Sequence, residues 1–381
     1  MAIYLDHAAT SPLRPEVLDA MLPYLTEHYG NPSSIHASGR RARQGLDESR
    51  EIIAQLIGAK PREIVFTAGG TEADNLAIKG VAWAASAKGR HVITSSVEHK
   101  AVMNTCAILS RQGFQITYLP VDRYGRVDPA ELEAAITDHA ALVSIMAANN
   151  EVGTLQPLAE IGAICRERKV VFHTDAVQAA ALGPPAPDAW RATLISLSAH
   201  KLGGPKGIGA LYVRQGTPMV AQTNGGAQER QRRAGTENVA AAVGFAVAMQ
   251  LAYAESRRTD LRDRLLNELT ALPGVALTGH PTERLANSAS AVIDGIEGGD
   301  LVAALDLEGV EASTGSACTT GSVEPSHVLL AMGIDEARAH GSLRLTLGRE
   351  TTQADVDRTV AVVGACVERL RASAPSMVGS A

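Results

Sequence analysis

Cysteine is scarce in this chain. There are four in 381 residues (Cys106, Cys165, Cys318 and Cys366), and they lie far apart. That spacing excludes a disulfide scaffold and offers no paired ligands for a zinc site, so no metal is expected and a reduced, cytoplasmic protein is. Basic charge is not in excess either. Lys and Arg total 35 against 41 Asp and Glu, a formal net charge of -6, so no domain-wide positive field invites nucleic acid. Two short clusters, Arg40, Arg41 and Arg43, then Arg230, Arg232 and Arg233, do not alter that balance. The first reads as a solvated helix face. No apolar run approaches the roughly 20 residues that cross a bilayer. The opening MAIYLDHAAT lacks the basic-then-apolar order of a secretory signal. No internal repeat is visible.

What is present is ordinary in bulk and informative in order. Hydrophobic residues make up 45% and charged residues 20%, as in a soluble globular protein, and the length suits a two-domain enzyme. Short apolar strands alternate with amphipathic helices. The expected strands are Ile64–Thr67, His91–Ser95, Ile116–Pro120, Leu142–Ala147 and Val170–Thr174. The expected helices are Thr71–Ala85, Ala101–Gln112, Pro129–Thr137 and Leu158–Arg168. This order predicts an α/β fold with a mostly parallel sheet, covered on both faces, whose ligands sit at the carboxyl ends of the strands. A long Ala-rich helical stretch runs from about Val239 to Glu255 and continues through Leu261–Leu272. Residues 16–256 read as a large domain. Residues 1–15 and 257–370 read as a smaller α+β one, and 371–381 as a disordered tail.

Three segments carry chemistry. Phe66–Asn75 (FTAGGTEADN) runs from a strand through two glycines into a helix starting at Thr71. Free N–H groups at a helix start suit a phosphate, although a plain turn capped by Thr71 reads the same. His173–Gln178 (HTDAVQ) places Asp175 just past a buried strand. There it could keep a ring nitrogen protonated, or simply cap a helix. Leu194–Val213 delivers Ser198, His200 and Lys201 to a strand end before a Gly/Pro-rich turn. A desolvated lysine can form a Schiff base. Lys206, its rival, sits in the turn and reads as solvated.

Together these and further stretches resemble the cysteine desulfurases of the NifS/IscS branch, a class V aminotransferase family of pyridoxal-phosphate (PLP) fold type I. The matching stretches are YLDHAAT (Tyr4–Thr10), GNPSSIHASG (Gly30–Gly39), FTAGGTEADNLAIKG (Phe66–Gly80), EHKAV (Glu98–Val102), NNEVGTLQP (Asn149–Pro157), HTDAVQ, SLSAHKLGGPKGIGALYV (Ser196–Val213), RRAGTEN (Arg232–Asn238), STGSACT (Ser313–Thr319) and LRLTLGRET (Leu343–Thr351). They run in order over nearly the whole chain. The resemblance implies that Lys201 carries PLP covalently, Asp175 pairs with the pyridine nitrogen and Gln178 bonds the ring hydroxyl. His99 would stack on the ring and shuttle protons. Gly70, Thr71, Ser198 and His200 would hold the phosphate, with Thr236 of the partner subunit completing that site in a homodimer. Asn150 and Arg344 would hold the substrate carboxylate. The chain departs from the pattern at His7, Ala8 and the Gly69-Gly70 pair, none of which is expected to touch a named catalytic role.

Cys318 lies in STGSACTTGSVE (Ser313–Glu324), rich in small residues, and reads as a loop thiol; the other three cysteines fall in helical patterns and read as core. The implied reaction converts L-cysteine to L-alanine, with Cys318 holding the sulfur as a persulfide for an acceptor protein in iron–sulfur cluster assembly or a thiolation pathway. Two rivals remain. One is another PLP enzyme on the same scaffold, a selenocysteine lyase or an aminotransferase. The other is a non-catalytic sulfur carrier.

Overall fold

A computed structural model describes residues 2–255, 259–315 and 324–373. Its centre is a seven-stranded sheet. Across it the strands run Ile64–Thr67, Gly209–Val213, Leu194–Ser198, Val171–Asp175, Ala140–Ser144, His91–Ser95 and Gln115–Leu119. Gly209–Val213 alone is antiparallel to its neighbours; the other pairings are parallel. Apart from the partly exposed edge strand Gln115–Leu119, the parallel strands are buried on both faces, so they are written as largely apolar runs such as Ile-Val-Phe-Thr. Their carboxyl ends share one edge, and the chain leaves that edge at Gly70, His99, Asn150, Asp175 and Lys201.

The register of the antiparallel strand shapes one corner of that edge. Gly209 lies opposite both Thr67 and Ser198. A Cβ at Gly209 would come within 2.5 Å of the Leu197 carbonyl and 2.7 Å of the Gly69 backbone. Its missing side chain therefore lets the Gly69-Gly70 turn lie against Ser198.

A first core surrounds this sheet and includes Val17, Leu46, Ile93, Phe172, Leu197 and Phe245. Helix Val239–Ala254 is apolar all round because it is covered by helices Pro15–Thr26 and Ala37–Leu56. A second core joins Leu5 to Leu265, Ile293, Leu301, Leu345 and Val363. It packs a three-stranded antiparallel sheet (Val275–Leu277, Ser288–Ile293, Ser342–Thr346) under helices Thr259–Thr270, Gly298–Leu307 and Gln353–Ser373. The N-terminal strand Ile3–Tyr4 pairs with Val310–Glu311, far away in sequence.

Two expectations change. The Ala-rich stretch is two helices, Val239–Ala254 and Thr259–Thr270, bent by 75° from each other. The first stops because Glu255 takes an extended conformation (φ -89, ψ 147), and its carboxylate receives both Nη atoms of Arg14 at 2.8 and 2.9 Å. The final helix runs through Ser373, three residues into the expected tail. The remaining residues of that tail, and Cys318 itself, lie outside the described residues. Among the described residues, no single helix is long and apolar enough to cross a membrane.

Candidate active site

The shared edge of the sheet opens into a cavity of about 710 Å³ between the two cores. Ten residues expected at the site line it: Gly70, Thr71, His99, Asn150, Asp175, Gln178, Ser198, His200, Lys201 and Arg344. Lys206 does not; it is exposed in the turn. Thr236 is exposed and lies away from the cavity of its own chain. Gly315 and Glu324, the described residues that flank the Cys318 stretch, both line the cavity.

Each wall has a local cause. Asp175 ends a buried strand and accepts the Val177 N–H at 2.9 Å. Burial pushes its carboxyl up, opposed by His99 and then by that bond. His99 caps helix Lys100–Arg111, its Nδ1 accepting the Ala101 N–H at 3.1 Å, which fixes the ring plane. His200 is held neutral, its pKa lowered to about 4 by burial and then by Lys201 and Lys206. Asn149 donates to the Val97 carbonyl and accepts from the N–H groups of Glu151 and Val152. That locked turn presents Asn150 to the cavity.

The N-terminal segment corrects the expectation for Ala8. Its carbonyl accepts from Gln178 Nε2 at 2.9 Å and from Lys201 Nζ. The Ala9 carbonyl accepts from the same Nζ at 2.7 Å. The contacts are made by backbone atoms, so the departure in side chain at position 8 leaves them intact.

The structure also adds residues the sequence did not flag. Asp74 is buried on the inner face of helix Gly70–Ala85, where the other buried side chains, among them Ala73, Ala77 and Ile78, are apolar. Its Oδ1 has no hydrogen-bond partner, and ligand atoms of Asp74, His99 and Asp175 lie within 4.8 Å of one another. Burial and then Asp175 push Asp74 well above the usual carboxylate range, because two close buried carboxylates resist ionising together. Behind it His173, lowered to about 3 by burial, bonds Ser144 at 2.8 Å and Ser196 at 2.9 Å. The signal for Asp74 was an acid at a core position of a helix. Glu98 is also fully buried, its pKa raised to about 8 by burial, with one oxygen bound by Ser95 and the Met146 N–H.

This donor set fits PLP. Buried acid sits at one end of the cavity and a fixed imidazole beside it. A helix N-terminus with Ser198 and a neutral His200 suits an anion, and a lysine reaches in between. Cys106 and Cys165 are buried with their thiols pushed up to about 12, and Cys366 is buried as well. None of these three lines the cavity.

Fold and cavity together define a cofactor enzyme of the PLP-binding α/β type. The comparisons narrow it. The aminotransferase class-V family model matches residues 3–359. A cysteine desulfurase IscS of Methanosarcina thermophila is 52% identical over 379 residues, covering 98% of this chain and 94% of that protein. A solved NifS-like protein superimposes with TM-score 0.91 at 37% identity, covering 97% of this chain and all of the other. A structure described as SspA in complex with cysteine gives TM-score 0.83 at 36% identity, over 91% of this chain and 98% of that one. The chain belongs to the class-V aminotransferase family and, within it, to the cysteine desulfurases.

Proposed function

We propose that this protein takes sulfur from L-cysteine, leaves L-alanine, and carries the sulfur as a persulfide on Cys318 to an acceptor protein. The observation that carries the reading is convergence. Lys201, Asp175, His99 and Arg344 meet in one cavity, and both flanks of the Cys318 stretch border it. Gly315 precedes Cys318 by three residues, and three residues of chain span at most about 11 Å. The similar structure holding cysteine agrees with this substrate.

PLP, when bound, supplies the stabilisation of a carbanion at the substrate Cα. The chain supplies the rest. Lys201, whose Nζ donates to the Ala8 and Ala9 carbonyls, would hold the cofactor covalently and move the Cα proton. Asp175 would pair with the pyridine nitrogen, and Gln178 would bond the ring hydroxyl. His99 would stack on the ring and pass protons. Gly70, Thr71, Ser198 and His200 would hold the phosphate, while Asn150 and Arg344 would hold the substrate carboxylate. The Cys318 thiolate attacks the substrate sulfur. A sulfur–sulfur bond forms and the carbon–sulfur bond breaks, its electrons staying with the substrate carbon until a proton completes alanine. The test is product analysis with L-cysteine and a reducing thiol. Alanine and sulfide should appear in equal amounts. 3-Mercaptopyruvate in their place, with no sulfide, would point to an aminotransferase.

The working unit in this reading is a cytoplasmic homodimer. Leu25, Tyr29 and Ile35 are exposed on one chain, Ile35 to 91%, which favours a covering partner. Thr236, exposed as well, would then reach the phosphate site of the neighbouring subunit. Sedimentation should give a dimer. Thr236→Ala should weaken PLP retention about tenfold, the scale of one hydrogen bond to a charged group. A fully active monomer would rule this assembly out.

A further inference from the structure

Arg344 is almost fully buried, and its donors can be accounted for one by one. A guanidinium has five N–H groups. Nη1 donates to the backbone oxygens of Asn150 at 3.0 Å and Gly315 at 3.2 Å. Nη2 donates to Asp6 Oδ1 at 2.7 Å. Nε is buried with no hydrogen-bond partner. The donors left over are Nε–H and the second Nη2–H. They can present one edge of the plane, which matches the two oxygens of a carboxylate.

Asp6 is itself well anchored. It forms a bridge with Thr346. The Thr346 N–H donates to the Leu5 carbonyl at 2.6 Å, and the Ala8 N–H donates to Thr346 Oγ1 at 2.8 Å. Side-chain exposure is 3% for Arg344 and 20% for Asp6, so water competes little for the pair. The backbone oxygens fix one end of the guanidinium, and Asp6 fixes the other.

We propose that Asp6 is a positioning residue for substrate recognition: by engaging Nη2 it leaves Arg344 one open edge, and so sets how an α-carboxylate docks. This rests on the desulfurase reading and deepens it. Two effects of Asp6 oppose each other. Its charge repels an incoming carboxylate, while its hydrogen bond aligns the arginine and supplies the counter-charge a buried guanidinium needs. Since Nη2 belongs to both the Asp6 bond and the open edge, alignment outweighs repulsion here.

The experiment compares PLP-loaded parent, Asp6→Ala and Asp6→Asn by titrating the cofactor absorption band with L-alanine and with ethylamine. These amines differ only in the carboxylate. Asp6→Ala should bind L-alanine about tenfold more weakly, the scale of one charge-assisted hydrogen bond. It should also raise KM for L-cysteine with kcat little changed. Asp6→Asn, which keeps the size and a neutral acceptor, should recover part of the loss and serves if Asp6→Ala fails to fold. Ethylamine should bind all three proteins alike. Equal weakening for both amines would make Asp6 merely structural, and tighter L-alanine binding by Asp6→Asn would mean that repulsion wins; either overturns the proposal. A parent whose band responds to neither L-alanine nor L-cysteine would sink the desulfurase reading itself, and Asp6's role with it.

Discussion

Lys201→Ala should abolish turnover of L-cysteine and release PLP from its covalent link. The purified parent should be yellow, with a band that survives gel filtration; the variant should lose that band or hold the cofactor only loosely. Two functions fail at once. The covalent bond to the cofactor cannot form without the amine, and the proton at the substrate Cα loses its carrier. Proton transfer by a positioned group is worth about 10²–10⁴-fold by itself, so the combined loss should exceed that range. The fold should survive, because Lys201 lies only partly buried at a cavity wall and its described bonds go to the Ala8 and Ala9 carbonyls. Lys206→Ala is the control. Its side chain is exposed in the turn and should leave activity unchanged. Normal turnover in Lys201→Ala would refute the assignment and return attention to Lys206.

The parallel strands were legible because burial on both faces forces an apolar run with abrupt ends. Ile64–Thr67 and His91–Ser95 fall on the residues the pattern marks. The strand beginning near Leu142 was harder. It is named Ala140–Ser144, yet Ile145 and Ala147 continue to donate to His173 and Asp175 beyond its end. Apolar character continues there because Ile145 and Ala147 pack into the first core, while the alternating Met146 and Ala148 line the cavity. Asp74 was easily passed over in the sequence: an acid near a helix start usually serves the helix dipole. Only the sheet brings it beside Asp175, which lies about a hundred residues further along the chain. The contribution of Ala8 was invisible for a different reason. A carbonyl carries no residue-type signature, and its value depends on the N-terminal segment pairing with Val310–Glu311 and Thr346. The helix break after Ala254 depended likewise on a distant partner, since Glu255 is turned outward to meet Arg14.

Cys318→Ser should separate the two halves of the reaction. Lys201 and the groups around the cofactor handle protons and the substrate carbon, whereas the thiol handles sulfur alone. The variant should therefore bind PLP normally and still change its spectrum when L-cysteine is added. It should fail to release alanine at a useful rate, and no persulfide should be trapped by alkylation. A serine hydroxyl is close in size to a thiol, so packing is little disturbed, but at neutral pH it is a far weaker nucleophile towards sulfur. The other cysteines provide the contrast. Cys106 and Cys165 are buried with thiols pushed up to about 12, where the reactive thiolate is negligible near pH 7. Cys366 is buried too, and Arg369 approaches its Sγ at 3.5 Å. Replacing any of these three by alanine removes one buried sulfur and should cost about 1–2 kcal/mol of stability with turnover preserved. Wild-type desulfurase activity in Cys318→Ser, together with loss of activity in one of the buried-cysteine variants, would reassign the sulfur carrier. Only a thiol that can become a thiolate within reach of the cavity suits the role. Gly315 and Glu324, the described residues on either side of the Cys318 stretch, border the cavity, and the proposed role falls to that stretch.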